Sequence, residues 1–439
     1  MHKLHPKLID LSLDRLVGLL EKLGNPQHSL PPIIHIAGTN GKGSTTAYIK
    51  SILQAHGKHV HAYTSPHLVN FHERIHLANA PNTNANASPT TSADISESYL
   101  VKMLTEVIAA NNGEAITFFE MTTAVGLLAF SRQPADYLIL EVGLGGRFDA
   151  TNVMAEIALA IITPVSIDHV QFLGTELNQI AFEKAGVIKP NCNLIIGPQQ
   201  TEAFEVIEQV ANRHNANMIS YGVDFQAYEE RGRLIYHHLS GLLDLPLPAL
   251  QGAHQIQNAS IAISAVKFLL ADAFNETHTA NGLKNTIWPA RLQRLVSAEL
   301  ASLAPSNAEI WLDGGHNAAG GQAVAQLLSN LQAKDPRPLY LLIGMMNSKQ
   351  ADEFLQPFAK LNPIAYCLAI EDEANSFSPQ QLAEMAKNTG IKTHTATHFT
   401  QALMAIKSEC DQAARILICG SLYQAGNVLK YIQNHKKSR

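Results

Sequence analysis

Short apolar runs alternate with amphipathic stretches along most of the chain. Such runs are typical of strands buried on both faces of a parallel sheet, and the stretches between them have the spacing of helices. The predicted strands span residues 32–37, 136–142, 157–163, 309–313, 338–343 and 415–419. The predicted helices span residues 44–55, 175–184, 319–331 and 421–434. Because strands that alternate with helices form doubly wound, mostly parallel sheets, the pattern predicts an α/β fold.

The alternation is interrupted near the Trp288-Pro289 pair. Proline ends a helix and restricts the residue before it, so this segment is interpreted as a hinge. We predict a first domain at 1–287, a linker at 288–296 and a second, smaller domain at 297–439. The segment 79–94 is rich in Asn, Ala, Ser, Thr and Pro, and is expected to be a surface loop without an assigned function.

Composition narrows the classes of protein that fit this pattern. Of the 439 residues, 46% are hydrophobic and 16% are charged, which suits a globular protein of two or three domains. The formal net charge of −5 argues against nucleic acid or an anionic membrane as a partner. The four cysteines show neither C-x-x-C spacing nor the density of a disulfide framework. With no signal peptide and no stretch long enough to span a bilayer, the protein is expected to be soluble and cytoplasmic.

The most informative segment is the glycine-rich turn at 38–44 (GTNGKGS), between a predicted strand and a predicted helix. Glycines let backbone N–H groups approach phosphate oxygens, the helix N-terminus adds positive potential, and Lys42 can reach the terminal phosphates. The segment departs from the pattern G-x-x-x-x-G-K-[ST] at Ile36, where the first glycine would stand, and at Gly43, which replaces a metal-binding hydroxyl. The strand, the lysine and the helix together favour a polyphosphate site over a turn that binds nothing.

Polar residues follow further apparent strands, at the edge where open α/β sheets bind their ligands. Ser65 either supplies the missing hydroxyl or forms a turn before proline. Glu141 is a metal-holding carboxylate or a polar strand end, and the glycine-rich loop after it is expected to be flexible and to close over a ligand. His169 is a ligand or a structural histidine. Lys184 falls in a last helical turn, where a lysine usually compensates the helix dipole.

The predicted second domain has a polar strand end of its own, the DGGHN segment that begins at Asp313. Its residue types are those of a ligand-binding loop. It is expected to face the hinge residues Arg291 and Arg294, because small-molecule sites are common between domains.

Together these motifs resemble those of the folylpolyglutamate synthase and dihydrofolate synthase family, a branch of the Mur-ligase superfamily. The similarity runs in the family's order from about residue 11 to residue 429. It rests on the segments GTNGKGS, TSPHL, ERI, TFFE, EVGLGGRFDATN, DH, LGTELNQIAFEKAGVIK, GAHQIQNA, WPARLQ, DGGHN and CGSLYQAGNVL. The resemblance implies a P-loop ATPase domain of the Mur-ligase type with a doubly wound sheet, followed by a smaller Rossmann-like α/β domain.

The resemblance also implies roles that spacing alone does not assign. Two magnesium ions are expected, held by Ser65, Glu141 and His169. Lys184 is expected to be carbamylated and to assist the second metal ion, and Phe119 is expected to lie in the pterin pocket. The residues of the loop that closes over the pteroate are Gly145, Gly146, Arg147, Asp149, Ala150, Thr151 and Asn152.

The expected ATP site combines both domains. Asn258 is placed near the base, and Arg291 and Asp313 complete the site. His316 is a candidate to take the proton from the glutamate amine. The phosphate contacts are assigned to Gly38, Thr39, Asn40, Gly41, Lys42, Gly43 and Ser44. The DGGHN block departs from the family, which often has Ala at the position of Gly315 and Pro at that of Ala318.

The activity that the resemblance implies is ATP-dependent ligation of L-glutamate to dihydropteroate and to folates through an acyl phosphate, in folate biosynthesis. The GRFDATN and TSPHL blocks look more like the bacterial bifunctional form, so both activities are expected, with polyglutamate extension alone as the alternative. A cell-wall amino-acid ligase fits less well, because Gly43 follows the lysine and few residues precede the first strand, where such ligases carry a UDP-sugar domain. A nucleotide-sensing module would need neither the metal ligands nor the DGGHN loop. The expected partners are dihydropteroate or reduced folate, L-glutamate and ATP, bound by a monomer.

Overall fold

The protein forms two compact units. The computed structural model describes residues 12–78 and 93–436. Among these residues, the first unit takes in the chain up to Ala249 together with Gln255–Ile287. The second unit takes in Leu250–His254 and the chain from Trp288 onward. No helix in the described part of the chain is long and apolar enough to cross a membrane.

The first unit is built on a sheet of eight strands. In chain order they are β1 (Ile33–Ala37), β2 (Val60–Tyr63), β3 (Ile75–Leu77), β4 (Ala93–Asp94), β5 (Tyr137–Glu141), β6 (Leu159–Ile162), β7 (Asn193–Ile196) and β8 (Asn217–Ser220). They lie in the order β4-β3-β2-β5-β1-β6-β7-β8. All neighbours are parallel except the pairs β2–β3 and β3–β4. The mostly parallel sheet with helices between its strands confirms the predicted α/β class.

The helices of this unit connect and cover the strands. They are α1 (Asp14–Lys22), α2 (Lys42–Ala55), α3 (Glu97–Asn111), α4 (Phe118–Ser131), α5 (Val170–Leu173), α6 (Leu177–Ala185), α7 (Thr201–Arg213), α8 (Ala253–Leu270) and α9 (Glu276–Asn285). Leu138 and Leu140 of β5 belong to a core formed with α1, α3 and α4. Ala160 and Ile162 of β6 belong to a second core, formed with α6 and α7. His35 of β1 is aligned with both Leu140 and Ala160, so its side chain lies between the two cores.

β1 lies in the middle of the sheet, and the β1–α2 turn follows its carboxyl end. β1 pairs in parallel with β5 and β6, and Ile36 is aligned with Glu141. The carboxyl ends of β1, β5 and β6 therefore meet, as they do in other open α/β sheets that bind ligands. This register puts the end of β5 beside the glycine-rich turn.

Some strands of this unit escape the sequence pattern. The three-stranded antiparallel sheet is β9 (Phe225–Glu230), β10 (Arg233–His238) and β11 (Gly241–Pro246). In β9 buried Phe225 and Ala227 alternate with exposed Gln226 and Tyr228, so no continuous apolar run marks the strand. Of the segment predicted as a loop at 79–94, residues 79–92 lie outside the described residues, and the last two form β4.

The second unit is a smaller α/β sheet of six strands. The strands are β12 (Gln293–Leu295), β13 (Glu309–Leu312), β14 (Leu339–Ile343), β15 (Ile364–Cys367), β16 (Lys392–Thr395) and β17 (Arg415–Cys419), and they lie in the order β12-β13-β17-β14-β15-β16. Only β12 is antiparallel to its neighbour. The helices are α10 (Ala298–Leu303), α11 (Ala318–Lys334), α12 (Ala351–Leu355), α13 (Pro379–Asn388), α14 (Phe399–Glu409) and α15 (Leu422–Lys436). β12 falls within the segment 288–296 that the sequence assigns to a linker.

A buried arginine joins the amino ends of strands in this second sheet. Arg415 is 1% exposed, and its Nε donates to Oε2 of Glu309 at 3.0 Å. Its Nη1 donates to the carbonyl of Asp335 at 3.1 Å and to the side chain of Gln332. The carboxylate of Glu309 compensates the positive charge of Arg415. The hydrogen bonds to all three residues hold the ends of β13, β17 and α11 together.

We expect Gly282→Ala to destabilise the first unit. A Cβ at this position would lie 2.5 Å from Cα and 2.8 Å from N of Ile52, so α9 and α2 would have to move apart. Overpacking of this kind costs about 1–3 kcal/mol, against roughly 1 kcal/mol by which alanine is the better helix former. The measurement is the midpoint of thermal unfolding.

The matched control is Gly18→Ala in α1, where, outside the helix's own backbone, no atom of a described residue lies within 4 Å of the added Cβ. That variant should keep or raise the unfolding midpoint, since alanine improves helix propensity without a clash. Equal midpoints for the two variants would contradict the close packing of α2 against α9.

Candidate functional site

The segment 38–44 connects β1 to α2 through two glycines with positive φ. Gly38 has φ +146° and Gly41 has φ +88°, a region that glycine tolerates and other residues avoid. A Cβ on Gly38 would lie 1.9 Å from Oγ1 of Thr163, and a Cβ on Gly41 would lie 2.4 Å from Oδ1 of Asn258. Neither position has room for a side chain, so this turn packs directly against the loop after β6 and against α8.

The backbone amides of the turn have two different uses. The N–H groups of Thr39 and Asn40 both donate to the carbonyl of Pro164, at 3.0 and 3.2 Å. These two amides are therefore used inside the protein, although the sequence assigned both residues to the phosphates. The first helical bond of α2 runs from Thr45 N to Gly41 O at 2.8 Å. The amides at the start of the helix that precede this bond, and suit an anion, are those of Lys42, Gly43 and Ser44.

Side chains of the same turn bind the loop that leads to His169. The hydroxyl of Thr39 donates to the carbonyl of Ser166 at 2.9 Å and accepts from its N–H at 3.0 Å. Asn40 Nδ2 donates to the Ser166 hydroxyl at 3.2 Å. Sequence reasoning missed Ser166, whose one signal is its position shortly before the Asp168-His169 pair.

Two lysines share one carbonyl acceptor in the turn. Lys42 Nζ donates to Gly38 O at 3.0 Å and to Thr39 O at 3.1 Å. Lys184 Nζ donates to the same Gly38 O at 2.9 Å, and this residue is 5% exposed. Lys184 is therefore buried. A lysine that only compensates the dipole of its helix would be exposed to solvent. The two ammonium groups concentrate positive charge at the position where a polyphosphate is expected.

A polar pair on α8 supports the turn from the other side. Asn258 is 3% exposed, and its Nδ2 donates to Oε1 of Gln255 at 3.1 Å. Gln255 is fully buried, and its Nε2 donates to Oγ of Ser44 at 3.3 Å. Asn258 is thus placed beside Gly41 of the turn. Gln255 was missed by the sequence analysis, although its position three residues before Asn258 puts both on one helix face.

The three expected metal ligands follow three different strands. Ser65 follows β2, Glu141 ends β5 and is 5% exposed, and His169 follows β6. His169 is exposed and has φ +52°, which is strained for a non-glycine residue and is common at functional sites. Its N–H donates to Oδ1 of Asp168 at 2.8 Å.

No group of three or more His, Cys, Asp or Glu side chains in the described ranges is placed to hold a metal ion by itself. The expected set offers one hydroxyl, one carboxylate and one imidazole. Mg²⁺ usually keeps several waters and takes substrate phosphate oxygens, so a sparse protein donor set of this chemistry suits it.

The TSPHL segment is folded by the ERI block that follows it. Oε2 of Glu73 accepts from Leu68 N at 2.7 Å, and its Oε1 accepts from Asn70 N at 2.8 Å. Nε of Arg74 donates to Nδ1 of His67 at 2.9 Å. Burial and the Arg74 charge lower the pKa of His67, so this ring is neutral and accepts at Nδ1.

An aromatic surface adjoins this segment. The ring of Phe119 lies where a Cβ on Gly143 would come within 2.5 Å of it, and its centroid is 6.3 Å from that of Tyr63. The centroids of Phe71 and Phe118 are 6.0 Å apart, and the Arg74 guanidinium lies 5.7 and 5.9 Å from them. Flat rings with a cation nearby suit an aromatic acid such as a pteroate.

The glycine-rich loop after β5 is largely buried and hydrogen-bonded. Oδ2 of Asp149 accepts from Gly143 N at 3.0 Å and from Leu144 N at 2.8 Å. Nδ2 of Asn152 donates to the carbonyls of Arg147 and Gly186, both at 3.0 Å. The sequence predicts a flexible loop, but these bonds tie it to itself and to the end of α6. In this loop Arg147 and Phe148 are the exposed side chains.

The second unit places three of the predicted residues around its DGGHN loop. Asp313 is 5% exposed, and its carboxylate accepts from Leu292 N at 2.8 Å and from Gly315 N at 2.6 Å. Nη1 of Arg291 donates to the carbonyl of Ala290 at 2.9 Å. A Cβ on Gly315 would lie 2.7 Å from Oδ1 of Asp313, so the glycine that departs from the family leaves room for this carboxylate.

His316 is oriented by its own loop. Its Nδ1 lies 3.1 Å from the carbonyl of Gly314, which only accepts, so Nδ1 carries the proton. A neutral His316 then has its lone pair on Nε2, the form a general base requires.

Comparisons with known proteins agree with this geometry. Residues 36–266 match the family Mur ligase middle domain, and residues 299–422 match Mur ligase, glutamate ligase domain. The dihydrofolate synthase/folylpolyglutamate synthase of Mycobacterium tuberculosis is 34% identical, over 95% of this chain and 89% of the relative.

Solved structures are similar over nearly the whole chain. Escherichia coli FolC in complex with DHPP and ADP has a TM-score of 0.83 and 27% identity, covering 99% of this chain and 96% of that one. The bifunctional folylpolyglutamate synthase/dihydrofolate synthase of Yersinia pestis, complexed with AMPPNP and Mn ion, has a TM-score of 0.83 and 25% identity, covering 98% and 96%. The chain belongs to the dihydrofolate synthase/folylpolyglutamate synthase family of Mur ligases.

Proposed function

We propose that this chain ligates L-glutamate to dihydropteroate and to reduced folates, using ATP to form an acyl phosphate. The observation that carries the proposal is the convergence of Lys42 and Lys184 on the Gly38 carbonyl, beside the strand that ends at Glu141. The half-buried Lys42 ammonium at this strand–helix turn suits a polyphosphate, the buried Lys184 lies next to it, and the adjacent carboxylate of Glu141 suits the metal ion.

ATP binds with its phosphates at the start of α2. The amides of Lys42, Gly43 and Ser44 donate to phosphate oxygens, and the Lys42 ammonium leaves its two carbonyl acceptors for the terminal phosphate. Asn258 of the first unit is assigned to the nucleotide. Within the second unit, Asp313 holds the DGGHN loop, because both of its oxygens accept from backbone amides.

Ser65, Glu141 and His169 would hold magnesium, of which two ions are expected. The metal ion supplies neutralisation of charge on the phosphate oxygens when it is bound. The carboxylate of Glu141 is preorganised at the end of a buried strand, and the hydroxyl of Ser65 replaces the one that Gly43 lacks.

The pteroate lies against the aromatic surface formed by Phe71, Phe118 and Phe119. The loop residues Arg147 and Phe148 are exposed, whereas Asp149 and Thr151 are buried and act from within the loop. Burial of a flat ring system between aromatic side chains contributes on the order of a few kcal/mol to binding.

The reaction has two steps. The substrate carboxylate attacks the γ-phosphorus of ATP, so that a C–O–P bond forms and ADP leaves. The glutamate amine then attacks the acyl carbon, phosphate leaves, and the nitrogen loses a proton. His316 is the candidate acceptor of that proton, because its Nδ1 bond to Gly314 leaves Nε2 as the basic nitrogen.

The remaining proposals concern setting. All four cysteines are buried and unpaired, which suits a reducing cytoplasm. The partners are small molecules, without nucleic acid or membrane, and the protein works as a monomer; size-exclusion chromatography with light scattering tests the last point.

To test the proposal, the protein is incubated with ATP, magnesium, glutamate and either dihydropteroate or tetrahydrofolate. The masses of the products are then measured by mass spectrometry. We expect one added glutamate residue in each case, together with ADP. Lys42→Ala should lower the rate about a thousandfold, because it removes a cation from the transferred phosphoryl group.

The control for this experiment is Lys284→Ala, an exposed residue of α9, which should keep the wild-type rate. If tetrahydrofolate gave a product and dihydropteroate did not, the proposed activity would be reduced to polyglutamate extension. No product from either acceptor would overturn it.

We expect Ser65→Ala to raise the magnesium concentration needed for half-maximal rate, while the unfolding midpoint stays unchanged. The reason is loss of one oxygen ligand from a site with few protein donors. Thr400→Ala, a hydroxyl in the second unit, is a control for the loss of a hydroxyl and should leave the magnesium requirement alone. An unchanged requirement in Ser65→Ala would remove this residue from the metal site.

We propose that Lys184 carries a carbamate, which forms from a neutral amine and presents a carboxylate-like anion to a metal ion. The burial of Lys184 supports this, since desolvation favours the neutral amine. Lys184→Gln should lose most activity, and a short carboxylic acid should restore part of it by occupying the vacated place. Wild-type protein stripped of carbon dioxide at low pH should need bicarbonate to recover. Full activity of Lys184→Gln would refute the carbamate without refuting the ligase.

A further inference from the structure

A fully buried histidine lies in the middle of the central strand. His35 of β1 is 0% exposed and is aligned with Leu140 and Ala160 on the two neighbouring strands. Its Nδ1 is buried without a hydrogen-bond partner among the described residues. Such an atom costs on the order of 1–3 kcal/mol, which an apolar residue would avoid. The imidazole must therefore offer something that an aliphatic side chain cannot.

The other ring nitrogen makes one bond, and its direction can be derived. Nε2 of His35 lies 2.9 Å from Oγ1 of Thr151. The Thr151 hydroxyl lies 2.6 Å from Oδ1 of Asp149, to which it donates its single hydrogen. Oγ1 can then only accept from the imidazole, so Nε2 of His35 carries the proton. Burial and the Lys189 charge lower the pKa of His35 to about 3, which keeps the ring neutral in this tautomer.

Asp149 carries the effect to the loop after β5. Its Oδ1 also accepts from Thr151 N at 2.9 Å, and its Oδ2 accepts from the amides of Gly143 and Leu144. Burial raises the pKa of Asp149, and these three amides together with the Thr151 hydroxyl oppose that shift by stabilising the carboxylate. Thr151 thus orients the carboxylate through Oδ1, and the carboxylate holds the loop backbone through Oδ2.

The relay ends at the aromatic surface. Gly143, held by Asp149, lies under the ring of Phe119, with no room for a side chain between them. A shift of the Gly143 amide would therefore move the surface on which this ring rests.

We propose that His35 is a positioning residue for the pteroate site, acting through Thr151 and Asp149 on Gly143 and the Phe119 ring. The proposal deepens the function proposed above and rests on it for its kinetic readout. His35 touches no substrate; it fixes the hydroxyl of Thr151 so that the Asp149 carboxylate holds a single orientation.

Two amide variants separate positioning from packing. In His35→Gln the side-chain NH₂ reaches the position of Nε2 and can donate to Thr151, whereas in His35→Asn it falls short. We expect His35→Asn to raise the KM for dihydropteroate on the order of tenfold, the effect of one lost hydrogen bond, with the KM for ATP nearly unchanged. His35→Gln should restore most of the dihydropteroate KM.

The matched control is His61→Gln, at another fully buried histidine of the same sheet. Its nitrogens bind Ala78 N at 2.9 Å and Gln133 O at 3.1 Å, away from the glycine-rich loop. It should lower stability without changing either KM selectively. Equal KM values in the two His35 variants, or a parallel rise for ATP and dihydropteroate, would overturn the proposal.

A measurement on the wild-type protein needs neither folding of a variant nor turnover. Nitrogen-15 spectra of labelled histidine should show His35 neutral, with the proton on Nε2, at every pH at which the protein is folded.

Two variants extend this measurement. In Thr151→Val the Nε2–H signal should shift, while Thr151→Ser should preserve it. A proton on Nδ1 would refute the relay even if the ligase activity is intact, and the expected spectrum without any ligase product would refute the proposed function instead.

Discussion

The carbonyl oxygen of Gly38 accepts hydrogen bonds from both Lys42 and Lys184, and the candidate site depends on this shared acceptor. It brings the start of α2 and the end of α6 to one point beside the central strand. The arrangement requires a glycine, because a side chain on Gly38 would occupy the space of Thr163. Two ammonium groups so close together would repel each other, and this repulsion would be relieved by a bound polyphosphate or by the proposed conversion of Lys184 into a carbamate.

Three motif carboxylates organise loops by accepting backbone hydrogen bonds. Glu73 folds the TSPHL segment, Asp149 holds the glycine-rich loop, and Asp313 joins the DGGHN loop to the start of β12. A carboxylate can accept several N–H groups at once, and these bonds offset the cost of its burial. Glycine-rich loops, which are entropically costly to order, are thereby held in one conformation without large side chains.

Polar side chains lie between the two hydrophobic cores of the first unit, close to the candidate site. His35 lies between a core shared with α4 and a core shared with α6, and it bonds to a loop residue, not to another core side chain. A polar network in a low-dielectric interior rigidifies its members when they are satisfied. Nδ1 of His35 has no hydrogen-bond partner in the described part of the chain, so this network is retained at some cost in stability.

The α/β class, the family and the positions of the main strands along the chain could be predicted from sequence, because apolar runs and glycine turns are local signals. Segments such as 32–37 and 415–419 differ from β1 and β17 by no more than one residue. The antiparallel sheet β9–β11 escaped prediction, because its alternating exposed residues give no apolar run. The site residues are only partly readable, since motif matching names Lys184, Asp149 and Thr151 without their partners.

Those partners were decided by the tertiary structure. Lys184 reaches a carbonyl 146 positions away, and His35 reaches a hydroxyl 116 positions away. The use of Thr39 and Asn40 amides by Pro164, in place of phosphate, is equally a contact between distant segments. Sequence periodicity reports which residues share a face of one element. Which two elements meet, and which donor takes which acceptor, depends on strand order and packing, and that information resides only in the folded chain.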